Sequence, residues 1–162
     1  MGFELTVLNP HILQKQAVDE IIKCNALTES HGLILSHAQA QELVETRSQA
    51  LKATGRIEFG GGAIDKIINE FYDSPYISKD NYTQTLHELI EMFYYYKNET
   101  IDLISDVDLI KTMKSAFDGD CHGSLDLLSG RELFRLARNL RFGFPAGYDE
   151  NDTSGNVGDD HE

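Results

Sequence analysis

Apolar residues recur every three to four positions through most of this chain. That period restricts it to helices packed by their apolar faces. Ile64, Ile67, Ile68 and Phe71 form a stripe at i, i+3, i+4 and i+7. Tyr82, Leu86, Leu89, Phe93 and Tyr96 continue the same spacing, and Ile90 widens their face. Leu13, Ala17, Ile21 and Cys24 mark an earlier helix; Ala40, Leu43, Val44, Arg47, Ala50 and Leu51 mark a second. Val107, Ile110, Met113 and Phe117 mark a fifth, and Leu133, Leu136, Ala137 and Leu140 a sixth.

Capping residues set the expected ends. Asn9 caps the first helix, with Pro10 at its first position, and the helix runs to about Ala26. Ser36 and Gln39 form a capping box for the second, and Gly55 stops it. The third follows Gly60, Gly61 and Gly62, and the fourth begins after Ser78. Ser105 and Asp108 open the fifth, and Ser129 with Glu132 reads as the capping box of the sixth. Two short apolar runs, "GLIL" (residues 32–35) and "RIEF" (residues 56–59), break the helical period and read as β-like pieces. The expected fold is mainly α: a single compact helical domain of about six helices over residues 1–142, with at most two short β-like segments.

The remainder, residues 143–162, reads as a disordered acidic tail, with too little apolar content to offset its ordering entropy. The chain has a formal net charge of −13. The last fourteen residues hold six of its 27 acids and no Lys or Arg; without them, 21 acids face 14 bases, a charge of −7. Such a balance disfavours nucleic-acid phosphates and anionic lipid surfaces as partners. No apolar run approaches the ~20 residues of a membrane span, and the first residues, "MGFELTVLNPHIL", lack the basic start and apolar core of a signal peptide. The two cysteines, Cys24 and Cys121, make no disulfide framework and point to a reducing cytoplasm.

Three segments are distinctive as a set: "ALKATGRIEFGGG" (residues 50–62), "YDSPYISKDNYTQTLHELIEMFYYYKNET" (residues 72–100) and "FDGDCHGSLDLLSG" (residues 117–130). Together they resemble a bacterial family of domains of unknown function, seen mainly in anaerobic Gram-positive bacteria, over roughly residues 9–141. The resemblance implies one cytoplasmic bacterial domain, and it brings no activity, cofactor or partner with it.

The motifs that suggest chemistry are few. "DGDCHGSLDLLS" (residues 118–129) places Asp118, Asp120, Gly123 and Asp126 as in a calcium loop. The bidentate Glu of position 12 is replaced by Ser129, and position 5 is His122, a poor ligand for a hard cation. A structural helix–loop–helix corner is the favoured reading, and a metal site on Asp118, Asp120 and Asp126 the alternative. "HELIE" (residues 87–91) falls one residue short of a zinc-protease motif, and its His87, Glu88 and Glu91 lie off the apolar face. Gly60, Gly61 and Gly62 precede a helix N-terminus, a geometry that suits an anion, without the lysine–hydroxyl pair of a phosphate loop. Cys121 and His122 are adjacent and lack a third orienting group.

Surface recognition is better represented. Four of the six arginines, Arg131, Arg135, Arg138 and Arg141, step along one side of the last helix. Tyr94 and Tyr95 sit in an aromatic run that covers more than half of a helix circumference, so one of them can reach a partner. The sequence therefore favours a non-enzymatic cytoplasmic interaction or accessory domain that needs no cofactor and takes another protein as partner. A metal-binding module on loop 118–129 is the alternative, and a small-molecule enzyme holding an anion at Gly60–Gly62 a weaker one. The oligomeric state is not legible.

Overall fold

The computed structural model of the chain describes residues 10–143, and those residues form an all-helical domain. Six longer helices carry it: α1 (Pro10–Lys23), α2 (His37–Thr54), α3 (Gly62–Phe71), α4 (Tyr82–Glu99), α5 (Asp106–Asp118) and α6 (Phe134–Arg141). The expected cap at Asn9 and the acidic tail beyond Gly143 lie outside the described residues.

Helix α4 is buried on most of its circumference, from Tyr82 and Leu86 through Phe93, Tyr94 and Lys97. It is the central element for that reason, and it lies against α2, α3, α5 and α6. The α3 stripe Ile64, Ile67, Ile68 and Phe71 is wholly buried and joins the same core as Leu43 of α2 and Met113 of α5. In α5 the core position expected for Val107 is taken by Leu109, and Val107 faces solvent.

Several ends form as the sequence dictates. Ser36 accepts from the Gln39 N–H at 3.1 Å, and the Gln39 side chain accepts from the Ser36 N–H at 2.9 Å, closing the capping box. Gly55 takes φ +68 and donates to the Leu51 and Lys52 carbonyls, ending α2. Ser105 accepts from Asp108 N–H at 3.1 Å and starts α5.

The mainly α expectation, with its bound of at most two short β-like segments, holds: no strand occurs among the described residues. Leu33 and Leu35 are buried on either side of exposed Ile34, as in a strand, but a side chain replaces the partner strand. The Asn25 amide donates to Leu35 C=O and accepts from Leu35 N–H, both at 2.9 Å, and the Thr28 hydroxyl donates to Leu33 C=O at 2.6 Å. In residues 56–59 the polarity is inverted: Ile57 is 83% exposed and Phe59 59%, while Arg56 and Glu58 turn inward.

The last helix also starts earlier than expected. Ser124, not Ser129, is its cap, accepting from Leu127 N–H at 3.2 Å. One turn (Leu125–Leu127) leads into a wider π-helical segment (Leu128–Leu133) and then into α6. Ser129 and Gly130 thus lie inside a continuous helix, and the widened turns place them beside α4.

Candidate functional site

The glycine loop gathers charged side chains from three helices, Glu20, Arg47 and Asp65, together with Glu58 before it and Tyr94 of α4. Glu58, just before the loop, accepts on Oε1 from Ala63 N–H at 2.9 Å and from the Tyr94 hydroxyl at 2.6 Å, with an Arg47 nitrogen at 3.4 Å. Arg47 also donates to Gly60 C=O at 2.5 Å. Glu20 of α1 accepts from Gly61 N–H. Gly60 and Gly62 are left-handed at φ +63 and +51, and a Cβ at Gly61 would overlap the Asp65 carboxylate.

Amides at the start of α3 therefore already hold carboxylates from the chain itself, Glu20 on Gly61 and Glu58 on Ala63, where a ligand anion would sit. Burial, and then the Glu20 charge, raises the Asp65 pKa above its ordinary value. Cys24 Sγ lies 3.8 Å from Asp65 Oδ1, and burial followed by that carboxylate pushes its thiol up to about 12. A thiol held protonated in this way is no nucleophile at neutral pH. Burial and the bond to Glu58 likewise raise the Tyr94 phenol. Chemically this is a closed polar clasp that fixes the α2–α3 connection.

The loop from Asp118 to Ser129 is also internally occupied. Asp118 ends α5; its Oδ1 accepts from the Ser74 hydroxyl at 2.6 Å and its Oδ2 lies 3.0 Å from Lys114 Nζ. Asp126 lies in the first turn after the Ser124 cap, and Asp120 C=O accepts from Arg131 at 3.4 Å. Among the described residues no group of three or more His, Cys, Asp and Glu is placed to hold a metal ion, so Asp118, Asp120 and Asp126 share no ligand set. Gly123 is left-handed at φ +79 and packs under the Tyr76 ring, which makes the segment a corner. Buried Cys121 has its thiol pKa raised by burial and then by Glu132. His87 of the "HELIE" segment binds Thr46 across the α2–α4 contact at 2.6 Å.

An open groove runs between the outer face of α4 and the last helix. It consists of two adjoining recesses of about 540 and 240 Å³ that share Tyr95 and Tyr96. The Tyr96 hydroxyl ties the two walls by donating to Ser129 C=O at 2.5 Å. Glu88, Glu91 and Asp126 line the first recess, and Phe134, Arg138, Arg141 and Phe142 the second. Three aromatic residues are turned outward here: Tyr95 at 55%, Phe134 at 58% and Phe142 at 72% exposure. The Tyr95 hydroxyl donates to Glu99 at 3.2 Å, and Arg141 lies 3.8 Å from the same carboxylate.

The structure thus brings Tyr95 together with Arg138 and Arg141. It does not bring Tyr94, which is 1% exposed and belongs to the clasp, so of the two candidates Tyr94 is ruled out as a partner contact and Tyr95 is the one that faces outward. Arg131 lies 2.9 Å from Glu132, and Arg131 and Arg135 are half-buried beyond the groove lining. Glu88, Glu91, Phe134 and Phe142 complete the groove lining without any motif that marks them as groove residues. The α4 spacing Glu88, Glu91, Tyr95, Glu99 was a visible signal, because steps of three, four and four keep to one helix face.

A family of unknown function, DUF6323, matches residues 20–146, and the chain belongs to it. No curated protein and no solved structure matches.

Proposed function

We propose that this member of DUF6323 is a non-enzymatic docking domain that binds another protein along the groove between α4 and α6. The carrying observation is the outward cluster of Tyr95, Phe134 and Phe142 beside Arg138 and Arg141. Aromatic residues and arginine are the side chains enriched in interface centres, since they bury large area and bond in fixed geometry. The partner's chemistry follows from the lining: carboxylates for the arginine end, cations for the end holding Glu88, Glu91 and Asp126, and an apolar side chain between them. The clasp at Gly60–Gly62 offers no comparable opening, because Glu20 and Glu58 already bond its amides.

The setting proposed is a bacterial cytoplasm. It rests on the resemblance carried by residues 50–62, 72–100 and 117–130 and on two free cysteines. No described helix is long and apolar enough to cross a membrane, which agrees with that setting.

A photo-crosslinking residue at position 134, expressed in the source cell, tests the proposal. It is expected to give a discrete protein adduct that disappears when Arg138 and Arg141 are changed to Glu. The same residue at position 53, on the exposed side of α2, is expected to give none. Equal labelling from both positions, or no adduct from position 134, refutes it.

A further inference from the structure

The groove is polarised along its length. At the level of Glu88, Glu91 and Asp126 its walls are acidic; at the level of Arg138 and Arg141 two cations outnumber the one carboxylate, Glu99, that lies 3.8 Å from Arg141; Tyr95 and Phe134 lie between. Residue numbers rise in the same direction on both walls, from Glu88 to Glu99 on α4 and from Leu125 to Phe142 on the last helix. Both ends of the gradient are therefore set by one axis. Turning a second copy by 180° about a line through the aromatic middle lays its acidic end over the arginines of the first, and the reverse. A two-fold interface demands this self-complementarity, because every contact in it occurs twice.

On the reading of the groove as a docking surface, we infer that its partner is a second copy of this chain, paired antiparallel through Tyr95 and Phe134. The exposed aromatics supply the apolar centre, and Glu88 and Glu91 of each copy face Arg138 and Arg141 of the other. The net charge of −13 opposes association at long range. At physiological salt the Debye length is about 8 Å, so distant charges are screened while groups in contact across the groove still attract. The lining is small for an interface, which places the dimer among weak and reversible ones, with a dissociation constant on the order of 10 μM.

The test is sedimentation equilibrium on the full chain at about 0.15 M salt, with two charge-reversal variants: Glu88→Lys with Glu91→Lys, and Arg138→Glu with Arg141→Glu. Each variant alone is expected to self-associate about a hundredfold more weakly, since like charges then oppose across both halves of the interface. Mixed one to one, the two variants are expected to recover a heterodimer at least as tight as the parent dimer. That recovery separates the pairing from any loss of folding, which circular dichroism checks directly. A parent chain that stays monomeric to several hundred micromolar overturns the inference, and so does a mixture of variants that fails to pair. A concentration-independent contact of residues 144–162 with Arg138, seen by amide shifts that vanish on truncation, also overturns it by giving the groove a different occupant. In each of these cases an intact adduct from position 134 with another protein leaves the docking function standing, whereas loss of that adduct removes both.

Discussion

Replacing Glu58 with Ala tests the glycine clasp where most of its bonds converge. The carboxylate accepts from Ala63 N–H and the Tyr94 hydroxyl and neutralises Arg47. Arg47 is 6% exposed as a side chain and Glu58 21%, so the pair is mostly shielded from water. Removing one partner of a buried ion pair costs about 3–5 kcal/mol. The lower end applies, because Glu58 is partly solvated and Arg47 keeps Gly60 C=O. Two further donors lose their acceptor, each at about 1 kcal/mol where water does not replace it. A total of about 3–5 kcal/mol corresponds to a fall in Tm of about 6–20 °C for a chain of this size. Tyr94→Phe alone is expected to cost about 1–2 kcal/mol, and the double variant less than the sum by about 1 kcal/mol, since both changes break the same bond. Urea denaturation of the four proteins followed by far-ultraviolet circular dichroism gives all the terms. A loss below about 1 kcal/mol for Glu58→Ala, or strict additivity with Tyr94→Phe, would refute the clasp.

Gly62→Val is expected to lose at least as much stability as Glu58→Ala, because a β-branched residue is strained at φ +51 and its Cβ displaces the Glu58 carboxylate; an unchanged melting temperature contradicts this. Asp65 has a pKa raised above its ordinary 3.8 in the fold, so the folded protein holds the proton more tightly than the unfolded chain. Its contribution to stability therefore grows as pH falls through the raised value toward 3.8, and Asp65→Asn is expected to remove that gain in urea midpoints measured from pH 7 to pH 4. Cys24, with its thiol near 12, is expected to alkylate with iodoacetamide at pH 8 at least tenfold more slowly in the native chain than in the unfolded one; mass spectrometry of timed samples reads this.

The helices were legible because their signals are local. The α3 stripe, the Ser36–Gln39 box, the left-handed Gly55 and the Ser105 cap each lie within a few residues, and the structure contains all of them. The start of the last helix was misplaced for a physical reason. "SLDL" at Ser124 and "SGRE" at Ser129 both offer a cap, and the structure continues the helix through the second by widening it. Arg47 stood visibly on the apolar face of α2, yet its partners Glu58 and Gly60 are set by how the chain turns after Gly55. The choice between Tyr94 and Tyr95 is not legible in the sequence, because it depends on how much of α4 is enclosed, and enclosure is a property of the packed helices rather than of one helix. The groove was half legible: its arginines and Tyr95 stood out singly, while their meeting depends on α4 and α6 lying side by side.

Hydroxyl-radical footprinting of the chain inside its source cell, compared with the purified chain at high dilution, reads directly whether the groove is covered. Phe59, exposed to the same degree as Phe134 but remote in sequence from both groove walls, serves as the internal standard. The docking account predicts that Tyr95, Phe134 and Phe142 are oxidised several-fold more slowly in the cell, relative to Phe59, than in dilute solution. Equal relative oxidation of all four residues in both settings would contradict it.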